Sequence, residues 1–197
     1  MAKKIKNKTG RPKKGQSQIT RNVILDSAWE ILQTVGFDDF RLSTLAESLG
    51  IRTPSLYNHV KDTEDIFREM RKKALQLLGE RLKESIQSVS TKQKRISPFL
   101  KSYRGFAKDF PNLYPLVIVS TETDEELKRL GDQILQICLD AFPLGEWNEE
   151  TVHRIRIIRS IVHGFIDLER AGGFGRKESV EESFTKLTES LETGKLW

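Results

Sequence analysis

Residues 42–61 read LSTLAESLGIRTPSLYNHVK, and how this stretch folds decides the rest of the chain. Leu42, Leu45, Ala46 and Leu49 recur at spacings of three and four, the signature of one helical face, and Gly50 ends that face. Ile51, Leu56 and Val60 resume an apolar face beyond it. Two short helices with a turn between them follow. The turn needs Gly50 because the backbone must take a positive φ there, and small Ala46 lets the helices cross closely. Pro54 is tolerated in the first turn of the second helix, where its missing N–H costs nothing. The pattern is a helix-turn-helix. With Leu56 and Val60 turned inward, Arg52, Thr53, Ser55, Tyr57, Asn58 and His59 are left on the outer side, able to reach base edges, and Lys61 stands beside them for a phosphate. Two short helices about a glycine are also a common packing unit, so the flanking sequence carries weight.

Outward from this stretch the apolar spacing stays helical and strand-like alternation is absent, which predicts an all-α fold of about nine helices. Thr20 caps a first helix over 21–35, with Gly36 at its C-terminal end. Asp62 caps a long fourth helix to about Val89, with Asp65 at the capping-box position. Ser90–Arg95 reads as a connector, Pro98 as the opening of a helix to about Phe110, and a short helix follows near Leu113–Val119. Thr123 with Glu126 is a capping box for a helix to about Phe142. Asn148 caps another to about Ala171, and a last helix carries Val180, Phe184, Leu187 and Leu191 before Gly194.

Charge is uneven. Eight of the 33 basic residues precede the first acid, Asp26, so the remaining 25 face 28 acidic side chains and the body is net −3. A basic arm on a mildly acidic body suits a polyanion, because neutralised phosphates release condensed counterions. Cys138 is the single cysteine, no Cys/His cluster has metal-ligand spacing, and no apolar run approaches a membrane span. A cytoplasmic protein without cofactor, metal or membrane partner is expected. The domain division expected is a basic arm without fixed structure over 1–18, a helix-turn-helix domain over 19–65 and a larger helical domain over 66–197.

Leu45, Ala46, Leu49, Gly50, Ile51, Pro54, Ser55, Leu56, Tyr57, His59, Val60 and Lys61 closely resemble the helix-turn-helix signature of the TetR (tetracycline-repressor) family. The likeness runs from about Thr20 to Phe67 and takes in the Gly36–Phe37 corner. It implies a dimeric, ligand-responsive repressor bound to a double-stranded DNA operator. Thr53, Pro54, Tyr57 and His59 then lie where relatives touch the operator, Tyr57 and Lys61 on the phosphate backbone, and Arg52 and Asn58 as base readers. Many relatives cap the second helix with Ser or Thr where this chain has Arg41. Arg41 is therefore expected to bind a phosphate by its charge, with Ser43 and Thr44 near the first turn as further base or backbone contacts. Gly10, Arg11 and Pro12 resemble the core of an AT-hook, whose Arg enters a narrow minor groove.

In the C-terminal part, Tyr103, Phe106, Ala107, Pro111, Leu113 and Tyr114, with the later Val162, His163, Gly164, Leu168 and Glu169, resemble the C-terminal type named for a Trp-His-Gly motif. The Trp is missing, since neither Arg159 nor Ser160 supplies the ring upstream of His163. The resemblance implies an effector cavity among the fifth to eighth helices. Tyr103, Tyr114, Arg159 and His163 are its candidate polar groups, and His163 alternatively serves as a hydrogen-bonded core histidine. The apolar residues of the eighth helix cover about half its circumference, too wide for one contact. Ile158, Ile161 and Phe165, with Val180, Phe184, Leu187 and Leu191 of the last helix, are the expected dimer interface, a four-helix bundle built from two copies. Two other classes stand beside this reading: an architectural DNA binder without effector, and a helical enzyme, for which Ser160, His163 and Asp167 are the nearest approach to a triad.

Overall fold

The computed structural model describes residues 19–122 and 124–194, so the arm over 1–18, with Gly10, Arg11 and Pro12, and the expected cap Thr123 lie outside the described residues. Among those described, the chain is all helical, with nine helices: α1 (Arg21–Val35), α2 (Leu42–Ser48), α3 (Thr53–Leu56), α4 (Thr63–Gln87), α5 (Lys92–Asp109), α6 (Tyr114–Val117), α7 (Glu125–Ala141), α8 (Glu149–Arg170) and α9 (Val180–Glu192).

The local rules explain most boundaries. Thr20 Oγ1 accepts from the Val23 amide, and Gly36, at φ 77°, turns its N–H back to the Leu32 carbonyl. Ile24, Ala28 and Leu32 form the buried stripe between these caps. Gly50, at φ 66°, makes the turn between α2 and α3, and the Ile51 amide then donates to Ala46 O at 3.0 Å. Helix α3 is a single turn, continued by the His59 and Val60 amides, which both donate to Leu56 O. Asp62 Oδ1 caps α4 by accepting from the Asp65 amide at 2.8 Å. Asp65 does not close the box on Asp62, because its carboxylate accepts from the Lys61 amide instead, at 2.9 Å.

Helix α5 begins six residues ahead of Pro98, which sits inside it. The first turn is held by fully buried Ile96 and by Arg95, whose Nε donates to Val89 O at 2.7 Å. Proline here removes one bond, to the carbonyl of exposed Lys94, which solvent can satisfy. Asp124 fills the cap of α7, accepting from the Glu126 and Leu127 amides at 3.0 Å each.

One hydrophobic core runs from Ile24 to Leu191. Helix α4 is its spine, packed against α1, α5, α6 and α7, and α5 carries the packing on to α8 and α9. The expected boundary at 65/66 therefore falls within a continuous helix. The α5–α6 corner also grips the end of α1, where Asn112 Nδ2 donates to Gln33 O at 2.9 Å and its side chain lies over Gly36.

Three residues expected at a dimer interface, Ile158, Phe184 and Leu191, are buried in the chain's own core. Phe184 packs on Phe165 at 5.2 Å between ring centroids and beneath the Arg104 guanidinium at 4.4 Å. Arg104 in turn pairs with Glu169 and Glu181, so α5, α8 and α9 close on one another within one chain. Ile161, Phe165, Val180 and Leu187 are only half-buried and stay available at the surface.

Candidate nucleic-acid interface

Leu45 and Leu56 are fully buried and Ala46 and Val60 nearly so, which fixes the roll of both helices of the motif. Their outer faces follow from that roll. Ser43 and Thr44 are exposed on the first turn of α2, and Arg52, Pro54, Asn58 and Lys61 are exposed around α3. Tyr57 is 53 % exposed. Thr53, Ser55 and His59 are half-buried at the edges of the same face. Arg41 occupies the N-cap of α2 without a side-chain cap bond, and its Nη1 donates to Asp38 O at 2.6 Å and Phe40 O at 2.9 Å. Its guanidinium thus lies folded against its own backbone.

A clasp that the sequence did not announce holds this face in place. Arg21, at the start of α1, donates through Nη1 to His59 O at 3.0 Å and pairs with both carboxylate oxygens of Asp65 at 2.7 Å. Asp65 also receives the Lys61 amide. The end of the α3 region is therefore tied simultaneously to α1 and α4, and the Arg21 guanidinium holds the Asp65 carboxyl down at about 2. From there charge pairs continue along α4. Arg21 approaches Glu69 at 3.6 Å, Lys72 bridges Glu69 and Glu126 at 3.0 Å each, and Arg68 pairs with Asp124 and Glu126. The Arg68 guanidinium also lowers the Asp124 carboxyl to about 2. The chain of pairs starts at the helix-turn-helix and ends on the cap of α7.

Helix α7 forms one wall of a cavity of about 360 Å3 in the helical body. Leu75 and Leu78 of α4, Leu100 and Tyr103 of α5, Ile155 and Ile158 of α8 supply much of its apolar surface, and Arg159 and His163 also line it. The α4 contribution was not expected. Its signal was the apolar stripe of α4, which continues well past the helix-turn-helix, but periodicity alone cannot tell a packed face from a cavity wall. Tyr114, expected in the cavity, lies fully buried behind His163 and does not line it. The imidazole is held between two phenols, with Nε2 at 3.2 Å from the Tyr103 hydroxyl and Nδ1 at 2.5 Å from that of Tyr114. Burial keeps the ring neutral, down at about 4, and pushes both phenols up. With both ring nitrogens occupied, His163 has none left for Ser160, and a Ser160–His163–Asp167 triad does not form.

A helix-turn-helix with a polar outer face, carried on a helical body that encloses its own cavity, defines a DNA-binding transcriptional regulator. Comparison with known proteins sharpens this. Residues 24–70 match the family described as bacterial regulatory proteins, tetR family, and residues 97–191 match the tetracyclin repressor-like, C-terminal domain. The HTH-type transcriptional regulator YobS of Bacillus subtilis (strain 168) is 30% identical over 174 residues, covering 85% of this chain and 87% of that protein. The HTH-type transcriptional regulator Rv0681 of Mycobacterium tuberculosis (strain ATCC 25618 / H37Rv) is 25% identical, covering 83% and 79%. A protein from Rhodococcus sp. RHA1 shares the fold at TM-score 0.76 and 16% identity, over 93% of this chain and 98% of that one. A TetR variant from Acinetobacter baumannii AYE, solved in complex with minocycline, does so at TM-score 0.60 and 19% identity, over 90% and 96%. The chain belongs to the TetR family, whose members are ligand-responsive transcriptional repressors, and it is a DNA-binding regulator and not an enzyme. Among the described residues no helix is long and apolar enough to cross a membrane.

Proposed function

We propose that this chain, acting in the cytoplasm, represses transcription by binding a palindromic operator as a homodimer, and that a small molecule in the cavity releases it. The observation that carries the reading is the exposed, hydrogen-bonding face of α2 and α3 above a fully apolar underside. Residues 19–65 form the reading head and residues 66–197 the effector and dimer part. Arg52, Thr53, Ser55, Asn58 and His59 reach base edges, with Pro54 in close contact. Tyr57, Lys61, Ser43 and Thr44 hold the backbone, and Arg41 swings out from the Asp38 and Phe40 carbonyls to a phosphate. The arm, through Gly10, Arg11 and Pro12, enters the adjacent minor groove.

The dimer is supported by what α8 and α9 leave uncovered. Ile157, Ile161, Gly164 and Leu168 follow one another at spacings of four, three and four, a seam suited to a partner helix. Ile157 is 43 % and Leu168 51 % exposed. Val180, Ser183, Leu187 and Ser190 make a second seam of small and apolar residues on α9, none of them fully buried. Together the two seams give the four-helix interface, and a two-fold axis gives the two heads that a palindrome requires. An effector that bears on α4 through Leu75 and Leu78 tilts the helix on which each head is mounted, changing their separation.

Selection from a pool of genomic DNA fragments tests this. A palindromic site bound by two copies of the chain is expected. A non-symmetric site bound by a single copy would overturn the dimer reading.

A further inference from the structure

We propose that the effector is an amphiphile with a single anionic head, of the carboxylate class, and an extended apolar tail. Arg159 receives the head at the cavity mouth and the tail lies between α4, α5 and α8. The assignment rests on the reading of this cavity as the effector site.

Arg159 is the cationic group of this cavity. It lines the cavity yet is exposed, so the residue stands where the cavity meets solvent. On the same helix Arg154 pairs with Glu150 and Arg170 with Asp167, whereas Arg159 has no such ion pair among the described residues. Its charge is felt inside the cavity. Burial is the main influence on Tyr103, Cys138 and His163, and Arg159 acts on each of them, opposing the rise of the phenol and the thiol and reinforcing the fall of the imidazole.

Behind Arg159 the cavity holds no charge. Burial keeps the Cys138 thiol protonated, pushed up to about 12, and leaves His163 neutral between its two tyrosines. Leu78, Leu100, Ile155 and Ile158 are all buried around the interior. One cation before an apolar interior fits a ligand with the inverse pattern, because a charged head desolvates cheaply only against a counter-charge, and the planar guanidinium matches a carboxylate with two parallel bonds. The rim also holds two carboxylates. Glu122 is paired with Lys128 at 3.2 Å, and Asp132 is exposed to solvent. They make a cationic head the rival class.

Three probes with one tail and different heads separate these cases: decanoate, decanol and decyltrimethylammonium, each below its micelle concentration, with binding read by calorimetry and melting of the full chain. Decanoate is expected to bind tightest and, at about a hundred times its Kd, to raise Tm by several degrees. Arg159→Gln should weaken decanoate by about tenfold or more while leaving decanol unchanged. Tighter binding of decanol or the ammonium compound, equal decanoate affinity in Arg159→Gln, or binding of none of the three would overturn the anionic class. Ile134→Trp, which fills the cavity from α7, distinguishes the underlying reading. If it leaves binding of these probes intact, the cavity is not their site, whatever the preferred head.

Discussion

Asp65 receives two bonds from Arg21 and one from the Lys61 amide, so a single carboxylate holds the end of the reading face to its support. Asp65→Asn should cost about 1 kcal/mol at neutral pH, at the low end for charge-assisted bonds because Arg21 is partly solvated. The sign of the pH effect is set by the lowering of this carboxyl from 3.8 to about 2. The stabilisation is complete above about pH 4 and fades towards pH 2, so the melting gap between the natural chain and Asp65→Asn should close across that interval. A gap that stays constant to pH 2 would mean the clasp is not ionic. His163 acts in a different window. Its folded value lies near 4 against 6.5 unfolded, so the unfolded chain takes up a proton first and stability falls as pH drops from 6.5 to about 4. Acid titrations of melting on the natural chain and on His163→Gln should differ across this range, with the variant flatter.

At the scale of elements, α4 and α7 are joined twice, by shared cavity walls and by the pairs from Arg68 and Lys72 to Asp124 and Glu126. Asp124→Asn keeps an amide oxygen able to cap α7 and removes the charge that pairs with Arg68. It should therefore leave α7 intact while weakening the coupling between cavity and head. Operator release by a cavity ligand should need several-fold more ligand, with ligand affinity in the absence of DNA little changed. Unaltered release would place the coupling elsewhere in α4. The elements themselves were largely legible. Thr20, Asp62 and Asn148 act as caps where the sequence placed them, because capping depends on neighbours three residues away. The start of α5 was misread because Pro98 resembles a helix opening, whereas buried Ile96 and the Arg95 bond to Val89 O determine it from outside the local pattern. The Arg21 clasp was illegible for the same reason, since its partner stands 44 residues away.

For the whole molecule, periodicity shows a broad apolar face on α8 and an apolar stripe on α9 but cannot divide them between the chain's own core and a second copy. The structure assigns Ile158, Phe184 and Leu191 to the core and leaves Ile157, Ile161 and Leu168 outward. The two groups should respond differently. Phe184→Ala should destabilise each chain by about 3–5 kcal/mol through cavity formation. Ile161→Glu should instead yield a folded monomer in sedimentation, because a charge in a two-fold seam meets its own copy. A folded dimer in Ile161→Glu would move the interface off this seam. Whether the α3 face reads DNA is decided by measuring binding of the natural chain and Tyr57→Ala to the selected genomic fragments at two salt concentrations. Tyr57 is exposed, so the variant should melt within about 0.5 kcal/mol of the natural chain in stability. Enrichment of a palindromic site by the natural chain alone, with affinity falling steeply as salt rises, is the expected result. Equal enrichment by both, or a preferred site for neither, would contradict it.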